Sequence, residues 1–156
     1  MDRIEIAGWL LECDPDATRR ALTEVPAGAP EACGCLHCRN FAAARDDVYG
    51  PDLRILLTQL GVPADREAEV YDCGPAERFG YRRAGGWFHF VGRIVRDPLI
   101  DEAPPARPFV LLGPELQVYF VAGGALVPDA LAGHSVVQLE FETEVPWVLA
   151  EPVPAT

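Results

Sequence analysis

Val136-Val137-Gln138-Leu139-Glu140-Phe141-Glu142-Thr143 alternates apolar and polar side chains along its length. A period of two belongs to a β-strand, not a helix. Val137, Leu139 and Phe141 are predicted to point into a core, and Gln138, Glu140 and Glu142 out to solvent. One buried face and one solvated face mark an antiparallel sheet. A parallel βαβ sheet would bury both faces and read as a continuous apolar run.

Working outward, neighbouring segments repeat the strand pattern. Residues 109–112 and 116–121 read as strands separated by Gly113-Pro114, and Gly123-Gly124 starts the next turn. Residues 97–108 carry Pro98, Pro104, Pro105 and Pro108 and read as loop. Residues 78–83 and 87–96 flank Ala84-Gly85-Gly86, a hairpin signal. In the second of these, Phe88, Phe90 and Ile94 share one face, and Trp87, His89, Val91 and Arg93 the other. Residues 67–73 form a strand that stops at Gly74-Pro75. The tail after Trp147 is proline-rich and is expected to be held by Trp147 and Leu149.

Earlier in the chain the period changes. Leu53, Leu56, Leu57 and Leu60 fall at i, i+3, i+4 and i+7, one face of a helix. Pro51 suits its first position, Gly61 its end, and Pro63 prevents it from resuming. Residues 36–47 have good helix propensity, so 36–61 is expected to form a helical hairpin. Residues 15–32, with Pro15, Pro26, Gly28 and Pro30, read mainly as loop with a helical turn at 16–22. Residues 3–12 read as one strand, with Ile4, Ile6 and Leu10 inward and Arg3 and Glu5 outward. Consecutive helices among many strands give an α+β fold, an antiparallel sheet with the helical hairpin packed on or beside it. Residues 1–156 are expected to form a single domain.

The chain has 13 basic and 24 acidic residues, a net charge of −11. That balance argues against nucleic acid and against an anionic membrane surface as partners. It leaves a basic protein partner, or a second copy of the chain, as candidates. No apolar run approaches the ~20 residues of a membrane span. Met1-Asp2-Arg3-Ile4-Glu5 lacks the pattern of a signal peptide, so the expected location is the cytoplasm. Thiols stay reduced there, and five cysteines, an odd number, fit a disulfide scaffold poorly.

Three of those cysteines lie in Ala32-Cys33-Gly34-Cys35-Leu36-His37-Cys38-Arg39-Asn40. Gly34 allows a tight bend between two thiols. A helix starting near Leu36 places Cys38 in its first turn and Cys35 just outside. Free N–H groups and the positive dipole end stabilise thiolates there. Zinc takes four ligands, mostly thiolate and imidazole. Cys33, Cys35 and Cys38 offer three. Cys73, at a strand end, is the first candidate for the fourth, then His89, then Cys13. His37 comes last, because between Cys35 and Cys38 it is expected to point elsewhere. Such an ion would stiffen the entry to the helices, since no water-activating glutamate is evident. The alternative is thiol–disulfide exchange, with Cys35 attacking and Cys38 resolving. The proline-rich residues 26–30 stand where such proteins have a buried strand. A third reading has the thiols purely structural, in a binding or assembly protein. No catalytic residue is assigned.

Cys33-Gly34-Cys35-Leu36-His37-Cys38-Arg39-Asn40-Phe41, Glu69-Val70-Tyr71-Asp72 and Gly85-Gly86-Trp87-Phe88-His89-Phe90-Val91-Gly92 together resemble an uncharacterised family of small bacterial proteins. The resemblance runs from Cys33 to the end of the strand after Gly92. It implies a bacterial source and no mechanism.

Overall fold

The computed structural model describes residues 1–98 and 108–154, so most of the loop expected over 97–108 lies outside the described residues. The chain opens on a hairpin. Strands β1 (Asp2–Ile6) and β2 (Trp9–Cys13) pair antiparallel. Ala7 and Gly8 turn between them at φ 47° and 88°. The single strand expected over 3–12 is therefore two, because Gly8 permits a left-handed corner that an unbroken strand has no use for. The deeply buried set is Trp9, Leu11 and Cys13, with Leu10 only half-buried.

The expected loop over 15–32 is mostly helical. Helix α1 (Pro15–Thr23) is capped by Asp14, whose carboxylate accepts from the Ala17 N–H at 2.9 Å. A short α2 (Ala29–Cys33) follows. Pro15 and Pro30 stand in the first turns of these helices, where no N–H is needed, so they open helices and do not break them. Helices α3 (Leu36–Val48) and α4 (Gly50–Leu60) follow, with Tyr49 alone between them. Leu53, Leu56, Leu57 and Leu60 are all buried, as their spacing predicts. Gly61 ends α4 at φ 76°, and the Val62 N–H bonds back to the Leu57 carbonyl at 2.9 Å.

Strands β3 (Glu69–Pro75), β4 (Tyr81–Arg96), β5 (Val110–Gly113), β6 (Leu116–Ala122) and β7 (Val136–Pro146) complete an antiparallel seven-stranded sheet. Its order is β1-β2-β4-β7-β6-β5. β3 pairs with the first half of β4, and β2 with the second half. The fold class is α+β, as the pattern predicts. No helix among the described residues is long and apolar enough to cross a membrane.

The hairpin expected at Ala84-Gly85-Gly86 is absent; β4 runs straight through it. A Cβ on Gly86 would sit 2.2 Å from the Glu69 carbonyl oxygen and 2.8 Å from the Phe141 ring. One on Gly85 would sit 2.4 Å from the Tyr71 hydroxyl. These glycines admit close neighbours and do not make a turn. Gly86→Ala is expected to lower stability by about 1–3 kcal/mol in urea unfolding, because backbone must shift to admit the methyl. An unchanged midpoint would contradict the close approach.

The helices cover one sheet face, where Phe88, Phe90, Val118, Val137, Leu139 and Phe141 are buried. α3 lies against β7, while α4 meets β5 and α1. The opposite face is less open than the alternation implies. Gln138 is only 4% exposed. Its Oε1 accepts from the Ala125 N–H at 3.0 Å, and its Nε2 donates to Glu140 at 2.6 Å. Trp87 Nε1 donates to the Ala125 carbonyl at 3.0 Å. The turn after β6 thus folds over this face, and Glu140 and Glu142 are half-buried.

Candidate metal centre

The thiols meet where one helix ends and the next begins. α2 stops at Cys33, and Gly34 takes the left-handed conformation at φ 68°. Its N–H bonds to the Pro30 carbonyl at 3.0 Å. Cys35 is extended and caps α3, with its sulfur accepting from the Cys38 N–H at 3.5 Å. Stop, bend and restart within six residues bring the Sγ atoms of Cys33, Cys35 and Cys38 within 4.8 Å of one another. All three are free thiols; no disulfide forms. The three could hold a metal ion.

The members differ in character. Cys33 and Cys35 are exposed and Cys38 is buried. The Cys38 backbone N–H, above all, holds the Cys35 thiol below its ordinary pKa. Burial first, and then the Cys35 and Cys33 sulfurs, push the Cys38 thiol well above its own. Deprotonation is eased at Cys35 and opposed at Cys38, and a cation would offset the repulsion between clustered thiolates.

A cavity of about 230 Å³ opens beside the sulfurs. Phe41, Val70, Ala84, Val145 and Trp147 give it apolar walls. Its polar edge is ordered by Asp72. Arg82 Nε and Nη2 each donate to that carboxylate at 2.7 Å, and they hold it below the usual carboxyl pKa. His37 Nδ1 lies 3.6 Å from Asp72 Oδ1, and its ring meets Trp147 edge-on at 5.9 Å.

The expected fourth ligands lie elsewhere. Cys73 sits at the bulge between Asp72 and Gly74 in β3. Strand alternation sends Asp72 to the cavity and Cys73 toward Arg83 and Glu142. His89 is 1% exposed and hydrogen-bonded to Gln138 at 3.2 Å, on the face away from the helices. Burial lowers its basicity. Cys13 is buried in β2, and that burial pushes its thiol up to about 11. Among the described residues the group that could hold a metal ion consists of Cys33, Cys35 and Cys38.

Two supports hold the centre; the position of Asn40 beside the cluster allows the first to be anticipated as an orienting residue, although a helix-surface role is the more ordinary expectation there. Asn40 is 2% exposed; its Nδ2 donates to the Pro146 carbonyl at 3.0 Å and its Oδ1 accepts from the Val148 N–H at 2.8 Å. It pins the C-terminal segment, and so Trp147, beside the thiols. Arg45 on α3 reaches both Glu67, at 2.8 and 3.0 Å, and Glu31 on α2, at 2.7 Å. The Tyr49 hydroxyl donates to Glu67 at 2.7 Å. This network holds α2 against α3, and therefore Cys33 against Cys38. Asn40 and Trp147 hint at the first clamp; nothing local signals the second.

Comparison with protein-family models, with curated proteins and with solved structures finds no match to this chain.

Proposed function

We propose that this chain is a zinc-binding protein of the binding or assembly type, with Cys33, Cys35 and Cys38 as its metal ligands. The observation that carries this reading is the gathering of three free sulfurs within 4.8 Å. Tetrahedral zinc with bonds of about 2.3 Å places sulfurs about 3.8 Å apart, so small side-chain rotations suffice. The ion would fix the corner between α2 and α3 and neutralise clustered thiolates. The acidic balance of 24 carboxylates to 13 basic groups favours a basic protein partner, met in the cytoplasm.

Protein purified without added metal should hold one zinc per chain by elemental analysis. Cys35→Ser should lose it. Zinc at about a thousand times its dissociation constant should stabilise the fold by about 4 kcal/mol in thermal unfolding. A protein that takes up no zinc and melts at the same temperature with and without it would end this reading.

Thiol–disulfide exchange has one observation in its favour. Cys35 is exposed and acidified by a helix N-terminus, while Cys38 is buried and held protonated. Attacking and resolving thiols divide in this way. A Cys35–Cys38 disulfide forming reversibly in glutathione buffers, with no zinc bound, would favour it over the metal.

A further inference from the structure

We infer that the centre is built for soft ions that take three sulfurs and no fourth ligand, and that it captures trivalent arsenic as a trithiolate. The inference rests on the reading that Cys33, Cys35 and Cys38 bind one ion together.

Three features of the site converge on it. The first is ligand count. The metal-ligating group among the described residues has three members. Cys73, His89 and Cys13 are placed away from it by β3 alternation, the opposite sheet face and the β2 core, and His37, outside the group, has its Nδ1 3.6 Å from Asp72. Zinc here would keep a position to be filled from outside. Trivalent arsenic fills its fourth direction with a lone pair and needs nothing there.

The second feature is the wall. Beside the sulfurs lies the cavity with apolar walls from Phe41, Val70, Ala84, Val145 and Trp147, and the Asp72 carboxylate on its polar edge is already engaged by Arg82. A lone pair facing apolar side chains leaves no polar group unsatisfied, whereas a zinc-bound water would want partners. The third is charge. Zinc on three thiolates carries a net negative charge, in a chain already at −11. The nearby guanidinium groups are paired: Arg82 with Asp72 and Arg39 with Glu151, at 2.7 and 2.9 Å for the latter. An arsenic trithiolate is neutral and asks for no counter-charge.

The chemistry balances without an oxidant or reductant. Arsenious acid, As(OH)₃, is neutral at pH 7. Each of its three As–O bonds breaks as an As–S bond forms. Each displaced hydroxide leaves as water with one thiol proton, so three waters are released and arsenic stays trivalent. Soft thiolates favour such an ion over hard competitors. A third sulfur held at the right distance adds its effective concentration to the binding of the first two.

The experiment uses the full chain with arsenite and with zinc, each as the sole added ion and then in competition. One arsenic should bind per chain, with a mass gain of one arsenic less three hydrogens. X-ray absorption at the arsenic edge should show three sulfur neighbours and no oxygen. Arsenite should displace zinc at equimolar concentration. Cys33→Ser, at an exposed position, should weaken arsenite binding by at least about 100-fold while leaving the thermal unfolding midpoint of the ion-free chain unchanged. Cys73→Ser should leave arsenite binding unchanged. Two sulfurs on arsenic, or equal loss in Cys73→Ser, would overturn the inference. Zinc bound and not displaced by arsenite would overturn it while leaving the zinc centre standing. If neither ion binds, both readings fall.

Discussion

Glu67→Ala should lower the stability of the protein by about 3–5 kcal/mol, the cost of leaving a buried charge unpaired. The Glu67 side chain has no exposure, and that of Arg45 only 12%. The carboxylate accepts two bonds from Arg45 and one from the Tyr49 hydroxyl. Truncation leaves Arg45 with Glu31 alone, and Glu31 is more than a third exposed. It also strands a fully buried phenol. Replacing both partners by apolar residues, Arg45→Met with Glu67→Leu, should recover part of the loss, since no buried charge is left unpaired although the Tyr49 hydroxyl still lacks its acceptor. Urea unfolding of the single and double variants measures this. A single-variant loss below about 1 kcal/mol would mean that water reaches the site. The same variant bears on the metal centre: with α2 freed from α3, zinc affinity should fall although no ligand has changed.

Strong periodicity was legible in this chain, and spatial coincidence was not. The alternation in β7 correctly names Val137, Leu139 and Phe141 as core, and the leucine spacing correctly names the buried face of α4. Both are local consequences of backbone geometry. Gly85-Gly86 misleads because glycine serves two ends, turning a chain and admitting a close neighbour. The neighbours, Tyr71 and Phe141, are distant in sequence. Pro15 and Pro30 mislead in the same manner, since a proline that breaks a helix interior also begins one. Gln138 reads as solvent-facing because its cover comes from the turn after β6.

The site divides along the same line. Cys33, Cys35 and Cys38 are close in sequence, so a bend and a helix start suffice to gather them. The first candidates for a fourth ligand, Cys73 and His89, belong to the sheet. Alternation already sets His89 on the face opposite Phe88 and Phe90; that the helices and the thiols lie on the Phe88 side, and that a bulge falls at Cys73, are matters of topology and register that spacing does not reveal. The Arg45–Glu67 pair, on α3 and in the segment before β3, is invisible for the same reason.

Phe141→Ala should cost about 3–5 kcal/mol, the range for emptying a well-packed aromatic site. Phe141 has no exposure and lies at the junction of three rings. Its ring centroid is 5.4 Å from Tyr49, 5.7 Å from Phe88 and 6.2 Å from Phe41. Gly86 lacks a side chain where this ring comes closest, so the sheet has already made room for it. Phe41 belongs to α3, Tyr49 follows it, and Phe88 is in β4. The cavity left by alanine would therefore separate the helix carrying Cys38 from the sheet carrying Asp72. Collapse is hindered because the sheet is held by backbone pairing on both sides of β7. Phe141→Leu retains most of the volume and should cost less. The two variants together distinguish packing from a general intolerance of change at this position. Equal losses for both, or a loss below about 1 kcal/mol for alanine, would show that α3 is not anchored through this ring. In the expected case zinc should restore part of the stability of Phe141→Ala, because an ion bound only by the folded chain adds its binding free energy to a weakened fold.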